Sequence, residues 1–100
     1  MIKHIVMWKM KPHAEGADAA ANMKIMHGRL TALKAIIPEI ADYAAGADFA
    51  HTPASCDFAI CCTVKNLRDL QVYNDHPEHV KVKQFIAKVT ESRIVADIEY

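Results

Sequence analysis

The chain has 100 residues, 52% of them hydrophobic and 24% charged, with 12 Lys and Arg balancing 12 Asp and Glu. That length suits one domain over residues 1–100, the apolar content excludes a disordered or collagen-like chain, and zero net charge leaves no basic footprint for nucleic acid or an acidic membrane surface. No run approaches the roughly 18 apolar residues of a membrane span, so no membrane partner is expected.

Ile2 to Lys11 reads as a strand: Ile2, His4, Val6, Trp8 and Met10 form one almost wholly apolar set, and the other set is apolar in the middle with lysines at its ends. Such alternation marks a strand between two environments, not the apolar block of a secretory signal. A break at Pro12 to Gly16 leads into a helix from about Asp18 to Ile36. Asp18 suits the N-cap, and Ala19, Met23, Met26, Leu30, Leu33 and Ile37 recur at steps of three and four along one stripe. Pro38 disfavours helical geometry at Ile37 and ends it.

Ile40 to Ala45 and Asp57 to Val64 read as two further strands, joined by a loop that contains Gly46 and Thr52-Pro53. Asn66 can cap a short helix carrying Leu67, Leu70 and Tyr73, which ends near His76-Pro77. Pro77 fits the first turn of the next helix, where a missing N–H costs nothing; His79, Val82, Ile86 and Val89 share its apolar face. Arg93 to Tyr100 alternates again, Ile94, Ala96 and Ile98 against Arg93, Val95, Asp97 and Glu99. The order β-α-β-β-α-β implies an α+β, ferredoxin-like sandwich with a four-stranded antiparallel sheet.

The apolar sets of the first, third and last strands, the last contributing Ile94, Ala96 and Ile98, are expected beneath the helices. The opposite face then carries Ile5, Met7, Ala59, Cys61 and Val95. An apolar patch of that size marks an interface, and no helix remains to cover it. The expected partner is a second copy, giving a homodimer through the open sheet face.

His4 is the polar residue in the helix-facing set of the first strand, His79 stands in the first turn of the last helix, and Tyr73 lies six residues before it. These three are the candidates for catalysis in a pocket between sheet and helices, with Val6, Trp8, Phe58, Ile60 and Val82 as its lining. A histidine near a helix N-terminus is held neutral by the dipole and by burial and can act as a base. Tyr73 could donate to a developing enolate oxygen, and His4 could orient the substrate or relay the proton. The other reading makes both histidines hydrogen-bonded core residues and Tyr73 a packing residue. No metal is expected at His76 and His79, which are three apart where the helical zinc motif needs four. Three cysteines without metal spacing fit reduced thiols in a cytoplasmic setting.

Met1-Ile2-Lys3-His4-Ile5-Val6, Ile37-Pro38-x-Ile40 and Tyr73-x-x-His76-Pro77-x-His79, in this order and spacing, resemble the stress-responsive α/β-barrel (Dabb) family over essentially the whole chain. The resemblance implies a dimeric α+β barrel of ferredoxin-like subunits, without a cofactor, and some members are linked to stress responses. One branch, plant olivetolic acid cyclase, closes a linear polyketide by aldol condensation. In that branch a histidine matching His79 is the base, a tyrosine matching Tyr73 assists and a histidine matching His4 lines the pocket. A further pocket histidine of the cyclase falls at Phe58 here, a departure from that site. Two functions follow: a homodimer that binds a small apolar or carbonyl-containing molecule, or a cofactor-independent acid–base enzyme (a cyclase or isomerase) with His79 as base.

Overall fold

A computed structural model describes residues 1–100. In chain order it holds β1 (Ile2–Met10), a small hairpin of β2 (His13–Ala14) and β3 (Ala17–Asp18), α1 (Ala19–Ile36), β4 (Ile40–Ala47), β5 (Phe58–Val64), α2 (Leu67–Asp75), α3 (Pro77–Val89) and β6 (Thr90–Glu99). The four long strands form one antiparallel sheet in the order β4-β5-β1-β6. This is the expected α+β, ferredoxin-like architecture, and the second helical segment divides at His76-Pro77 into α2 and α3, as the sequence indicates.

The helix ends follow from local chemistry. Asp18 caps α1, its carboxylate accepting from the Ala21 N–H at 2.8 Å, which satisfies a donor that the first turn leaves without an intrahelical partner. Ile37, before Pro38, is extended (φ −108, ψ 102), and its N–H still donates to the Leu33 carbonyl at 2.8 Å. Asn66 caps α2 by accepting from the Asp69 N–H at 2.9 Å. His76 serves both neighbours: it closes α2, and its Nδ1 accepts from the Glu78 N–H at 3.1 Å at the start of α3.

The hairpin after β1 was not expected from the sequence. Glu15 (φ 51) and Gly16 (φ 75) both adopt left-handed geometry, which a two-residue hairpin turn requires. Asn22, 1% exposed, holds this hairpin to α1: its Nδ2 donates to the Ala14 carbonyl at 3.0 Å and approaches that of Ala17 at 3.5 Å.

The core lies between sheet and helices. Val6, Trp8, Phe58 and Ile60 from the sheet meet Met26, Leu30 and Leu33 of α1, Tyr73 of α2, and Ile86 and Val89 of α3. Their burial drives the docking of each helix's apolar stripe, the dominant favourable contribution to folding.

The last strand corrects the sequence expectation. Val95 stands opposite Val6 and Ile94 opposite Met7, and directly opposed residues of an antiparallel pair share a face. Ile94, Ala96 and Ile98 therefore lie on the open face, and Arg93, Val95 and Asp97 on the helix side, the reverse of the pattern-based assignment. Both sets of this strand contain apolar residues, so period 2 alone does not choose its phase, and a shift of one residue exchanges the faces. The phase is set by the direct exit from α3 at Thr90, by a register irregularity between Lys9 and Met10, and by Asp97 meeting His4 on the helix side.

The open face is consequently more apolar than the pattern suggested. It gathers Ile5 and Met7 from β1, Ala59 and Cys61 from β5, and Ile94, Ala96 and Ile98 from β6. Ile94 is 65% and Ile98 48% exposed. No element of the chain covers this surface.

Candidate functional site

A partly enclosed cavity of about 300 Å³ lies between the helix side of β1 and α3. Its floor is apolar: Val6, Trp8 and Ile60 from the sheet, with Leu30 and Ile86 from the helices. Its polar wall is His4, His79, Lys83, Thr90 and Arg93. Lys83 and Thr90 are half-buried and Arg93 is exposed, so the mouth lies where α3 hands over to β6.

His79 is 5% exposed and sits in the first turn of α3 because Pro77 starts that helix two residues earlier. Its Nδ1 donates to the Tyr73 carbonyl at 2.8 Å. A carbonyl only accepts, so Nδ1 carries the hydrogen and Nε2 keeps its lone pair. Nε2 has no hydrogen-bonding partner in the chain, and the ring walls the cavity. Burial holds the imidazole well below its usual range, to about 4, partly opposed by the hydrogen bond to Tyr73 and reinforced by the charges of Lys83 and Arg93. Near neutral pH His79 is therefore uncharged and an acceptor.

His4 is 3% exposed, and its Nδ1 donates to the Asp97 carboxylate at 2.5 Å. The pairing fixes the ring's orientation and its tautomer. Asp97 was missed in the sequence because it belonged to the strand set assigned to the opposite face; only the register brings it under His4.

Tyr73 is wholly buried but does not line the cavity. Its ring packs against His79 at 4.1 Å between centroids, and its hydroxyl meets that of Tyr43 at 3.1 Å. Burial raises both phenols far above their usual range, so each remains protonated. The sequence reading aimed the Tyr73 hydroxyl at a substrate; the geometry directs it to Tyr43, and the backbone carbonyl of Tyr73 is what touches His79.

Of the expected lining residues, Val6, Trp8 and Ile60 are in the wall. Phe58 and Val82 are not. Phe58 borders a shallow depression with Met23 and His27, and Val82 faces a groove between α1 and α3 beside Leu33. Both share the correct face of their element with the cavity residues but lie further along it, a distance that periodicity does not encode.

Arg93, Lys83 and Thr90 are cavity residues that sequence reasoning did not find. Arg93 makes no hydrogen bond or ion pair within the chain, whereas Lys83 Nζ donates to the Asn74 carbonyl at 2.7 Å. Trp8 is 4% exposed and its Nε1 is buried without an acceptor. No group of three or more His, Cys, Asp or Glu side chains is arranged to hold a metal ion. Cys62, opposite His4, is buried, and its thiol is pushed up to about 12 by that burial; it is an inert neighbour at neutral pH.

The chain matches the model of the stress responsive A/B barrel domain (Dabb) over residues 2–100. No curated protein matches it. Among solved structures, it is similar to a dimeric protein of unknown function with a ferredoxin-like fold from Bacteroides fragilis, at 28% identity and a TM-score of 0.83, over 99% of this chain and 95% of that one. A dimeric ferredoxin-like protein of unknown function from Thermobifida fusca is similar at 25% identity and a TM-score of 0.85, over 99% and 90% of the two chains. A hydroxynitrile lyase from Passiflora edulis shares the fold, with a TM-score of 0.78 at 18% identity over 97% and 90%. The match along nearly the whole sequence agrees with the strand order and the three helices, and the chain belongs to the stress responsive A/B barrel (Dabb) domain family.

Proposed function

We propose that the protein is a homodimer, joined through its open sheet faces, that binds a small apolar or carbonyl-containing molecule in the cavity between sheet and helices. The dimer is supported by the uncovered apolar face and by the dimeric state of the Bacteroides fragilis and Thermobifida fusca neighbours. Binding is supported by a cavity of about 300 Å³ that combines an apolar floor with a few convergent polar groups, the usual make-up of a small-molecule site.

One observation favours an enzymatic form of this reading. His79 is neutral, pinned at Nδ1, and lines the cavity with its Nε2 free of any partner in the chain. Nε2 would take the proton from a carbon next to a carbonyl, the electron pair of the broken C–H bond moving onto the carbonyl oxygen as an enolate. That enolate would close onto a second carbonyl, or regain a proton elsewhere, giving cyclisation or isomerisation without a cofactor. An anionic intermediate raises the affinity of His79 for the proton it takes. His4, fixed by Asp97, would orient the substrate, and the Tyr73 carbonyl positions the base. The hydroxynitrile lyase neighbour supports this form, since the same fold carries an enzyme there.

The test is hydrogen–deuterium exchange at the α-carbons of a panel of small ketones and keto acids, followed by NMR in deuterated water. The expected result is exchange accelerated by the wild-type protein and abolished in a folded His79→Ala variant. Equal exchange with and without His79 removes it as the base; no exchange across the panel leaves binding without catalysis.

A further inference from the structure

The cavity has a charge pattern that the proposed function does not use. Arg93 and Lys83 stand in its polar wall, and no Asp or Glu does. On the helix side of β6, Asp97 is held by His4 at 2.5 Å, and neither Glu91 nor Glu99 lines the cavity. Arg93 has no acceptor in the chain. The hydrogen bond from Lys83 Nζ to Asn74 uses one of its three donors. Trp8, which stands directly opposite Arg93 in the sheet, buries an indole N–H with no acceptor. A buried donor left unpaired costs on the order of 1–3 kcal/mol, so the indole is held in this position by its packing in the core.

We propose that the molecule bound in this cavity is a small carboxylate on an apolar body, its carboxylate gripped at the mouth by Arg93 and Lys83 and its body lying on Val6, Ile60 and Ile86. This deepens the functional reading above and rests on the cavity being a binding site. A guanidinium presents two parallel N–H donors that match the two oxygens of a carboxylate. The apolar floor and the cavity's volume suit a body of a few carbons, not a large polar one. The same anion also acts on His79: negative charge at the mouth offsets Lys83 and Arg93, the cations that depress its imidazole, and brings the base closer to the strength that proton transfer needs.

Trp8 is the single tryptophan and walls the cavity, so its fluorescence reports occupancy without a label. The experiment titrates the full-length protein with 4-methylpentanoate and with 4-methylpentanamide, a neutral isostere, and reads the midpoint of the fluorescence change. The expected result is binding of the carboxylate at least about tenfold tighter than the amide, as loss of a charge-assisted contact implies. Arg93→Gln brings the two to within about twofold of each other, Arg93→Lys gives an intermediate preference, and Lys83→Gln weakens the carboxylate alone. Arg93 is exposed on an edge strand, so its replacement leaves the core untouched, and Lys83→Gln provides an independent reading. Equal binding of carboxylate and amide by the wild-type protein overturns the inference and leaves the cavity as a site for neutral molecules. A preference that survives both Arg93→Gln and Lys83→Gln also overturns it. Binding of neither probe overturns the inference together with the functional reading beneath it.

Discussion

His79 Nδ1 donates to the carbonyl oxygen of Tyr73 at 2.8 Å across the junction between α2 and α3. This contact makes the candidate base a single tautomer held in one orientation, and burial makes it neutral. Below about pH 6.5 the unfolded chain takes up a proton at this residue, whereas the folded protein does so only near pH 4. The stability associated with neutral His79 is therefore complete above the first value, is lost as the pH falls towards the second, and changes no further below it. The loss is about 3 kcal/mol. Urea denaturation over this range should show a steep decline for the wild-type protein and a shallower one for His79→Gln; parallel profiles would count against a buried neutral imidazole.

The open face of the sheet predicts an oligomeric state. Light scattering at micromolar concentration should give twice the mass of one chain. Ile94→Glu places a charge at the position that is 65% exposed in the isolated subunit and lies beside Met7. Burying an unpaired carboxylate costs several kcal/mol, so dissociation should strengthen roughly a hundredfold or more. A wild-type protein that runs as a monomer would remove the proposed assembly.

The hydroxyl pair of Tyr43 and Tyr73 predicts a structural effect. Tyr73→Phe removes one partner of a 3.1 Å hydrogen bond and leaves the half-buried Tyr43 hydroxyl to find water or none. The expected cost is about 1 kcal/mol. Because the Tyr73 hydroxyl does not reach the cavity, binding of 4-methylpentanoate should change by less than about twofold. A large fall in affinity with unchanged stability would instead place that hydroxyl against the ligand.

Asn22 predicts the worth of the small hairpin. Asn22→Ala removes the donor to the Ala14 and Ala17 carbonyls from a position that is 1% exposed. The expected loss is about 1–3 kcal/mol. Amide exchange should rise first at Ala14 to Ala17, since this side chain ties the hairpin's turn to α1 while Asp18 secures only its last residue; an unchanged exchange pattern would show that packing and the Asp18 cap hold it.

Much of the fold could be read from residues that act locally. Asp18, Asn66, Pro38 and Pro77 each begin or end a helix through atoms within a few residues, so their positions in the sequence carry the answer. The stripe of Met26, Leu30, Leu33 and Ile37 is legible for the same reason. The phase of β6 was not, because Val95 and Ile94 are equally apolar and the choice between them is made by pairing with β1. The site divides along the same line. His4 and His79 stand out as polar residues in apolar sets, but Asp97, Arg93 and Lys83 are ordinary charges until the register and the end of α3 bring them beside the histidines. Phe58 and Val82 show the converse: the correct face, at the wrong height.

Alternation along β1 sends Ile5 and Met7 to one side of the sheet and His4, Val6 and Trp8 to the other. Under the proposed function, neighbouring codons thus govern unrelated properties, self-recognition on the odd positions and ligand choice on the even ones. Point substitutions can retune one while sparing the other, whereas inserting or deleting a single residue in this strand would corrupt both at once. On that reading, a lineage carrying this strand would be able to diversify what it binds without risking its quaternary structure.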